Sequence, residues 1–324
     1  MAAARKKTPK KKSATAPAGP ARAGRCVIAG RPNVGKSTLL NALLGQKLSI
    51  VAAKPGTTRT VLLGVFDAVV EDGRTQIAFL DTPGLEIPKN VLGRVLVEEA
   101  QGALEQGDVI MLLVDAGEVA RKRDLPQEDR RILDLIRPLG KPTLLVLNKS
   151  DKVKDKQALL PALIELEKIH PWTAMIPISA IRGDGVESVV RELRSQLPEG
   201  LLYEEDVLTD RPERFFAAEL VREAVLAHTR QEVPHGVAVQ IEEWVEEETL
   251  VRIGATIVVA KDSHKGILIG ARGAMLKQIG QDARLAIEEL LGRKVFLRTF
   301  VKVIPGWTED AVKVRRLLRE GTGT

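Results

Sequence analysis

Short, continuously apolar runs alternate along the first two thirds of the chain with segments whose apolar residues recur every three to four positions. The runs Cys26–Ala29, Ile77–Leu80, Val109–Val114, Thr143–Leu147 and Met175–Ile178 are strand-sized. Apolar side chains at successive positions fit strands covered by helices on both faces. Val61–Val70 alternates only in part, which fits an edge strand. Between them, Val91–Gln106, Gln127–Ile136, Gln157–Ile169 and Gly185–Gln196 carry the helical period. This order predicts an α/β domain over 25–198, a doubly wound and mostly parallel sheet. Residues 199–211 follow as a linker, with no clear period. A smaller α+β unit is expected over 212–304: helix Glu213–Arg230, strands Val237–Val245 and Thr249–Val259, a short helix, helix Ala274–Leu291, strand Val295–Val303. Residues 305–324 form a C-terminal extension, in which Glu309–Arg319 is expected to be a helix packing on its own domain.

Composition changes this picture little. The 324 residues are 44% hydrophobic and 28% charged, ordinary for a globular chain of about two domains. No apolar run approaches the ~18 residues of a membrane span. A single cysteine, Cys26, excludes a disulfide framework and reads as a small core residue. The net charge of +6 is unevenly placed: Arg5, Lys6, Lys7, Lys10, Lys11, Lys12, Arg22 and Arg25 face no acid in the first 25 residues. Residues 1–24 read as a disordered tail, either a solubility tail or a polyanion-binding arm. They lack the apolar core of a secretory signal, so a cytoplasmic location is expected. In the second unit an acidic block at Glu242–Glu248 gives way to a strongly basic stretch from Arg252 onward.

The chemistry begins at Gly30-Arg31-Pro32-Asn33-Val34-Gly35-Lys36-Ser37, which fits G-x-x-x-x-G-K-S between a strand and a helical run starting at Thr38. In that context glycines let backbone N–H groups wrap a phosphate, Lys36 reaches the β- and γ-phosphates, and the Ser37 hydroxyl faces Mg2+. Asn148-Lys149-Ser150-Asp151 follows a buried strand, at the edge where ligands sit in such sheets. A carboxylate at Asp151 accepts two hydrogen bonds from guanine, whereas adenine presents no donor there. Asn148 would brace that loop and Lys149 would cover the ring. Asp81-Thr82-Pro83-Gly84 follows another strand; Asp81 is placed for the Mg2+ shell, and the Gly84 N–H for the γ-phosphate.

The ordered series G-R-P-N-V-G-K-S, D-T-P-G, N-K-S-D resembles that of the translation-factor-type GTPases, Ras-like in fold. That resemblance implies binding of GTP and GDP with Mg2+, and GTP hydrolysis in which Lys36, Thr58 and Gly84 take part. It places switch I at Pro55-Gly56-Thr57-Thr58-Arg59, with Thr58 joining Ser37 and Asp81 on the Mg2+ and Thr57 as the alternative. It also places a base-contacting loop at Ser179-Ala180, where the Ala180 N–H would meet the guanine carbonyl. Leu85 stands where Ras-type proteins carry a water-orienting Gln, which implies slow intrinsic hydrolysis. Asn33 matches an Asn that related GTPases use to hold K+.

In the second unit, Gly270-Ala271-Arg272-Gly273 is a G-x-x-G turn between two helical runs. It resembles the turn with which KH domains clamp a nucleic-acid backbone, with Lys265, Arg272 and Lys277 supplying charge. The α-β-β-α-α-β order resembles the type II KH arrangement. A Ras-like domain joined to such a unit resembles a family of bacterial ribosome-assembly GTPases. That family implies binding near the 3′ end of 16S rRNA on the 30S subunit, with some peripheral contact at the inner face of the membrane. The chain is taken as a monomer. The rival reading is a membrane-associated signalling GTPase whose KH-like unit binds another partner.

Overall fold

A computed structural model describes residues 19–51, 57–70, 73–229, 233 and 236–320. Strand β1 (Arg22–Ala29) leads through the phosphate loop into helix α1 (Lys36–Leu44), followed by β2 (Leu62–Val70), β3 (Gly73–Asp81) and α2 (Val91–Gln106). Next come β4 (Val109–Asp115), α3 (Ala116–Lys122), α4 (Gln127–Ile136), β5 (Thr143–Asn148), α5 (Leu159–Glu167), β6 (Ala174–Pro177) and α6 (Val186–Gln196). Among the described residues these strands form one six-stranded sheet in the order β2-β3-β1-β4-β5-β6. Only the edge strand β2 runs antiparallel, against β3; the other pairs are parallel. One face is buried by α1 and α6 through residues such as Leu39, Leu40, Val189 and Leu193. The other is buried by α2 to α5, through Ala100, Leu104, Ile132, Leu133 and Leu166. The strand order reverses at β1, with β3 and β4 on either side, and ligands collect at the carboxyl ends around such a point.

One expectation needs correction here, and two features add to the picture. The strand expected to begin at Cys26 begins at Arg22, so the tail does not extend to residue 24. Pairing of Arg22–Gly24 with Thr75–Ile77, and a 2.7 Å hydrogen bond from the Arg22 guanidinium to the Leu197 carbonyl, hold it there. The short helix α3 was not foreseen. Its start is set by Asp115, whose carboxylate accepts from the Gly117 and Glu118 N–H groups. The linker is tethered: Gln76 Oε1 accepts from the Leu202 and Tyr203 amides at 2.8 Å, and the Leu208 carbonyl accepts from Val65 of β2 at 2.7 Å.

The second unit comprises α7 (Glu213–His228), β7 (Val237–Glu246), β8 (Leu250–Val259), α8 (Asp262–Ile269), α9 (Ala274–Leu291), β9 (Lys294–Val303) and α10 (Ala311–Glu320). Its sheet runs β7-β8-β9, antiparallel then parallel. Helices α7, α8 and α9 bury one face through Val221, Val225, Leu268, Ile279 and Ile287. Helix α7 is shared: Phe215 and Phe216, in its first turn, lie in the core of the first unit. Helix α10 was expected on its own domain and instead bridges the two. Val314 and Leu317 bury with Trp307, Ala238 and Val258 on one side and with Leu92 and Val95 of α2 on the other. Arg315 adds a 2.6 Å ion pair to Glu98 of α2. Its apolar stripe fills a gap that the second unit leaves open.

Candidate functional site

The phosphate loop is shaped by backbone that only certain residues tolerate. Gly30 (φ 153°) and Gly35 (φ 101°) occupy positive φ, as does Asn33 (φ 63°). A Cβ at Gly30 would meet the Leu113 carbonyl at 2.5 Å, and one at Gly35 the Asn148 amide at 2.3 Å. Both positions therefore require glycine on two counts. Val34 packs into the core below. Lys36 is buried, and its ammonium donates to the Gly30 and Arg31 carbonyls at 3.1 and 2.9 Å. Burial pushes its pKa down to about 8, against the opposing charges of Asp81, Glu86 and Asp129.

Three oxygen donors meet beside Lys36. Ser37 Oγ lies 2.9 Å from Thr58 Oγ1 and donates to Asp81 Oδ2 at 2.9 Å, while Thr58 Oγ1 lies 3.3 Å from the same carboxylate. Ser49 Oγ, which the sequence did not flag, donates to it at 3.2 Å. Asp81 is wholly buried, and its Oδ1 has no hydrogen-bond partner. Burial raises its pKa, while Lys36 and the three hydroxyls pull it back. Two hydroxyls and a buried carboxylate with one oxygen unpartnered form a hard, all-oxygen set, which fits Mg2+. Of the expected switch I segment, Pro55 and Gly56 lie outside the described residues.

The third motif sits against the first. Thr82 Oγ1 donates to the Ile28 carbonyl at 2.8 Å, and the Leu85 amide to the Gly30 carbonyl at 3.2 Å. Gly84, after Pro83, lies so close to Pro32 that a Cβ would meet its ring at 2.6 Å. The Leu85 side chain is buried in the core beneath α2 to α5 and turns away from the cleft. The Arg31 side chain also points away from the cleft. Its guanidinium pairs with Asp129 at 2.7 Å and Glu118 at 2.9 Å, because α3 and α4 place both carboxylates beside the loop. Its carbonyl serves the loop, as a Lys36 acceptor.

At the other end of a 230 Å³ cavity, which Thr38 also lines, lies the base-reading loop. Asn148 is buried and ties three segments: it donates to the Val34 carbonyl at 2.8 Å and accepts from the Ala180 amide at 3.0 Å. The Ala180 N–H, expected to face a base, here donates to the Asn148 side chain, which β5 and β6 carry under that loop. Asp151 is held by the Ser179 hydroxyl at 2.7 Å, which lowers its pKa. Ser150 is anchored through its amide to the Ile178 carbonyl at 3.0 Å. Lys149 sits at positive φ with Nζ 3.0 Å from Asp115, a partner the sequence gave no sign of. Burial of Asp115 works to raise its pKa, and the Lys149 contact together with the Glu118 and Gly117 amides outweighs it.

The second candidate site is the turn from α8 to α9. Gly270 (φ 68°), Arg272 (φ 52°) and Gly273 (φ 80°) hold it open. Ala271, Arg272 and Lys277 are exposed and Lys265 is half-buried beside them. The helices' buried residues, Leu268 and Ile279, anchor the turn from below.

Between the two sites lies a contact set invisible in the sequence. Arg222 of α7, 2% exposed, donates to the Thr57 carbonyl and pairs with Glu219. Arg59, next to Thr58, donates to the Val237 carbonyl of β7. Burial and the nearby Arg222 push the Arg59 pKa down to about 9. Glu223 accepts from the Val51 amide at 3.0 Å and from Lys47 at 2.6 Å. The second unit thus holds both flanks of the switch I segment.

Fold and cleft together define a P-loop GTPase carrying a C-terminal KH unit. Family models agree: residues 25–149 match the 50S ribosome-binding GTPase model, and residues 232–308 the KH domain model. The chain is 44% identical over 298 residues to GTPase Era of Trichlorobacter lovleyi, covering 91% of this chain and 97% of that one. Against GTPase Era of Aquifex aeolicus it is 44% identical over 299 residues, covering 90% and 97%. Two solved Era structures superpose with TM-scores of 0.86 at 43% identity, covering 91% of this chain and 98% of each. One is an Aquifex aeolicus Era variant bound to GDP·AlF4−; the other is Era in complex with MgGDPNP and nucleotides 1506–1542 of 16S ribosomal RNA. The chain belongs to the GTPase Era family, and its reaction is hydrolysis of GTP. Among the described residues no helix is long and apolar enough to cross a membrane.

Proposed function

We propose that this chain is a nucleotide-switched RNA-binding protein of small-subunit assembly, contacting 16S rRNA near its 3′ end through the Gly270–Gly273 turn. In this reading Lys36 leaves its two loop carbonyls for the β- and γ-phosphates, and the loop amides from Asn33 to Thr38 surround them. Ser37 and Thr58 supply oxygens to Mg2+, which neutralises phosphate charge when bound, and Asp81 steadies that shell. The Gly84 amide reports the γ-phosphate. The free oxygen of Asp151 accepts from guanine while Lys149, steered by Asp115, covers the ring. Leu85 holds no water, so intrinsic turnover is slow. The exposed Asn33 is a candidate K+ ligand; equal turnover in K+ and Na+ buffers removes that role.

The observation that carries the switch is the hydrogen bond from Arg222 to the Thr57 carbonyl, one residue before a Mg2+ ligand. Thr58 lies with Ser37 and Asp81 while this bond is made, so any displacement of Thr58 when the γ-phosphate is bound or lost must move or break it, and nucleotide state biases how the KH unit is held. The test compares RNA affinity of the full chain with GDPNP and with GDP. A coupling of about tenfold is expected, within the usual range for linked sites. Arg222→Gln should shrink it to about twofold. Equal RNA affinity in both nucleotide states of the wild type overturns the switch.

A further inference from the structure

Strand β9 has two unlike faces. Val295, Leu297, Val301 and Val303 point into the core under the helices. The intervening residues, Lys294, Phe296, Arg298, Phe300 and Lys302, share the opposite face, and all five are exposed. Phe296 and Phe300 are 47% and 56% exposed, unusual for aromatic rings in a chain that has few. Part of this sheet face is capped, since Ala238 and Val258 lie under Trp307 and α10. The rest is open. Arg252 of β8, opposite Phe296 in register, places its guanidinium 5.6 Å from that ring. Opposite Arg298 stands Gly254, so no side chain of β8 fills the space between the two rings.

The charges on this face are sorted. Glu246 and Glu247 are engaged at the hairpin end by Arg293 and Arg252, and Glu243 lies over Gly254 on the β7 side. Arg298 and Lys302 have no carboxylate partner among the described residues. The basic edge is β9 and the acidic edge is β7. A protein-docking face is apolar at its centre, where lysine is depleted. Here a cation flanks each ring, the arrangement that serves single-stranded nucleic acid: rings stack bases and the intervening cations meet phosphates.

We infer that the open face of β9 is a second single-stranded RNA contact, on the side of the sheet away from the helices that carry the Gly270–Gly273 turn. Phe296 and Phe300, about 13 Å apart along the strand, stack bases on either side of Arg298. Arg298 and Lys302 take the backbone. The inference rests on the RNA-binding reading above and extends the footprint beyond the roughly four nucleotides that a G-x-x-G turn clamps.

Fluorescence anisotropy on the full chain tests it, with a labelled single-stranded RNA of about 6 nucleotides and one of about 16. Phe296→Ala/Phe300→Ala should weaken the longer RNA about tenfold or more and leave the shorter one unchanged. Arg298→Ala/Lys302→Ala should lower the slope of log affinity against log salt by about 1.4 on the longer RNA. Because all four side chains are exposed, unchanged GTP turnover serves as the folding control. Unaltered affinity of both variants for the longer RNA, with wild-type binding intact, overturns the strip alone. A wild-type chain that binds neither RNA overturns the RNA reading itself, and the strip with it.

Discussion

The cleft around Lys36 and the turn at Gly270–Gly273 use glycine in the same way and almost everything else differently. In the cleft, Lys36, Ser37, Asp81 and Asn148 are buried, and nearly every polar atom has a named partner. Around the turn, Ala271, Arg272 and Lys277 stand in solvent with few fixed contacts. A buried, pre-bonded site reads a small ligand atom by atom, since one missing donor leaves a desolvated group unpaired. An exposed basic turn reads a polymer by its backbone, where each contact adds little and salt weakens all of them. The two regions therefore predict unlike responses to substitution.

The largest response is expected in the cleft. Asp151→Asn removes the acceptor for guanine's two donors and should lower GTP affinity about a hundredfold or more, while relatively favouring xanthosine triphosphate. Competition binding with the two triphosphates measures it, and an unchanged GTP preference breaks the contrast at its stronger end. Gly273→Asp should act on the other side alone. Nothing lies within 4 Å of the position, so the harm comes from positive φ and added negative charge rather than crowding. RNA affinity should fall about tenfold with GTP turnover intact; loss of both activities would mean the regions are not separable.

The smallest effect sharpens the picture of Lys36. Burial in the cleft lowers its pKa to about 8. A bound triphosphate favours the charged ammonium and raises that value again. Binding just above pH 8 should therefore take up protons, and affinity should fall as pH rises through that window. Calorimetry in buffers of different ionisation enthalpy reads the uptake directly, and Lys36→Arg should abolish it. Buffer-independent heats would mean that Lys36 is already fully charged.

Elements that make their own argument were legible in the sequence. Val91–Gln106, Gln127–Ile136 and Ala274–Leu291 carry enough helical period to mark both ends, and the structure has helices over those residues. The phosphate loop and the N-K-S-D loop were legible because strand, turn residues and helix stand next to one another. What escaped depends on residues far apart in the chain. Arg22–Gly24 looks like tail until β3 is beside it. Ser49, Asp115, Asp129 and Arg222 are ordinary polar residues until the fold sets them against Asp81, Lys149, Arg31 and Thr57. The Ala180 amide looked available because the sequence does not show which side chain passes beneath it. Helix α10 looked like a local cap because its stripe gives no hint that half of it meets α2.

Helix α7 also bears on how such proteins could be rebuilt. Its opening turn is rooted in one core and the remainder in the other, so the seam between the modules does not run through a loop. A chimera joined after residue 216, with a foreign RNA-reading module supplying the rest, keeps both phenyl rings in place. One joined at residue 212 discards them and leaves two ring-sized voids beneath the GTPase sheet, each costing about 3–5 kcal/mol. Module exchange in this architecture depends first on two phenylalanines that touch neither ligand, and then on a replacement for α10 over Leu92 and Val95.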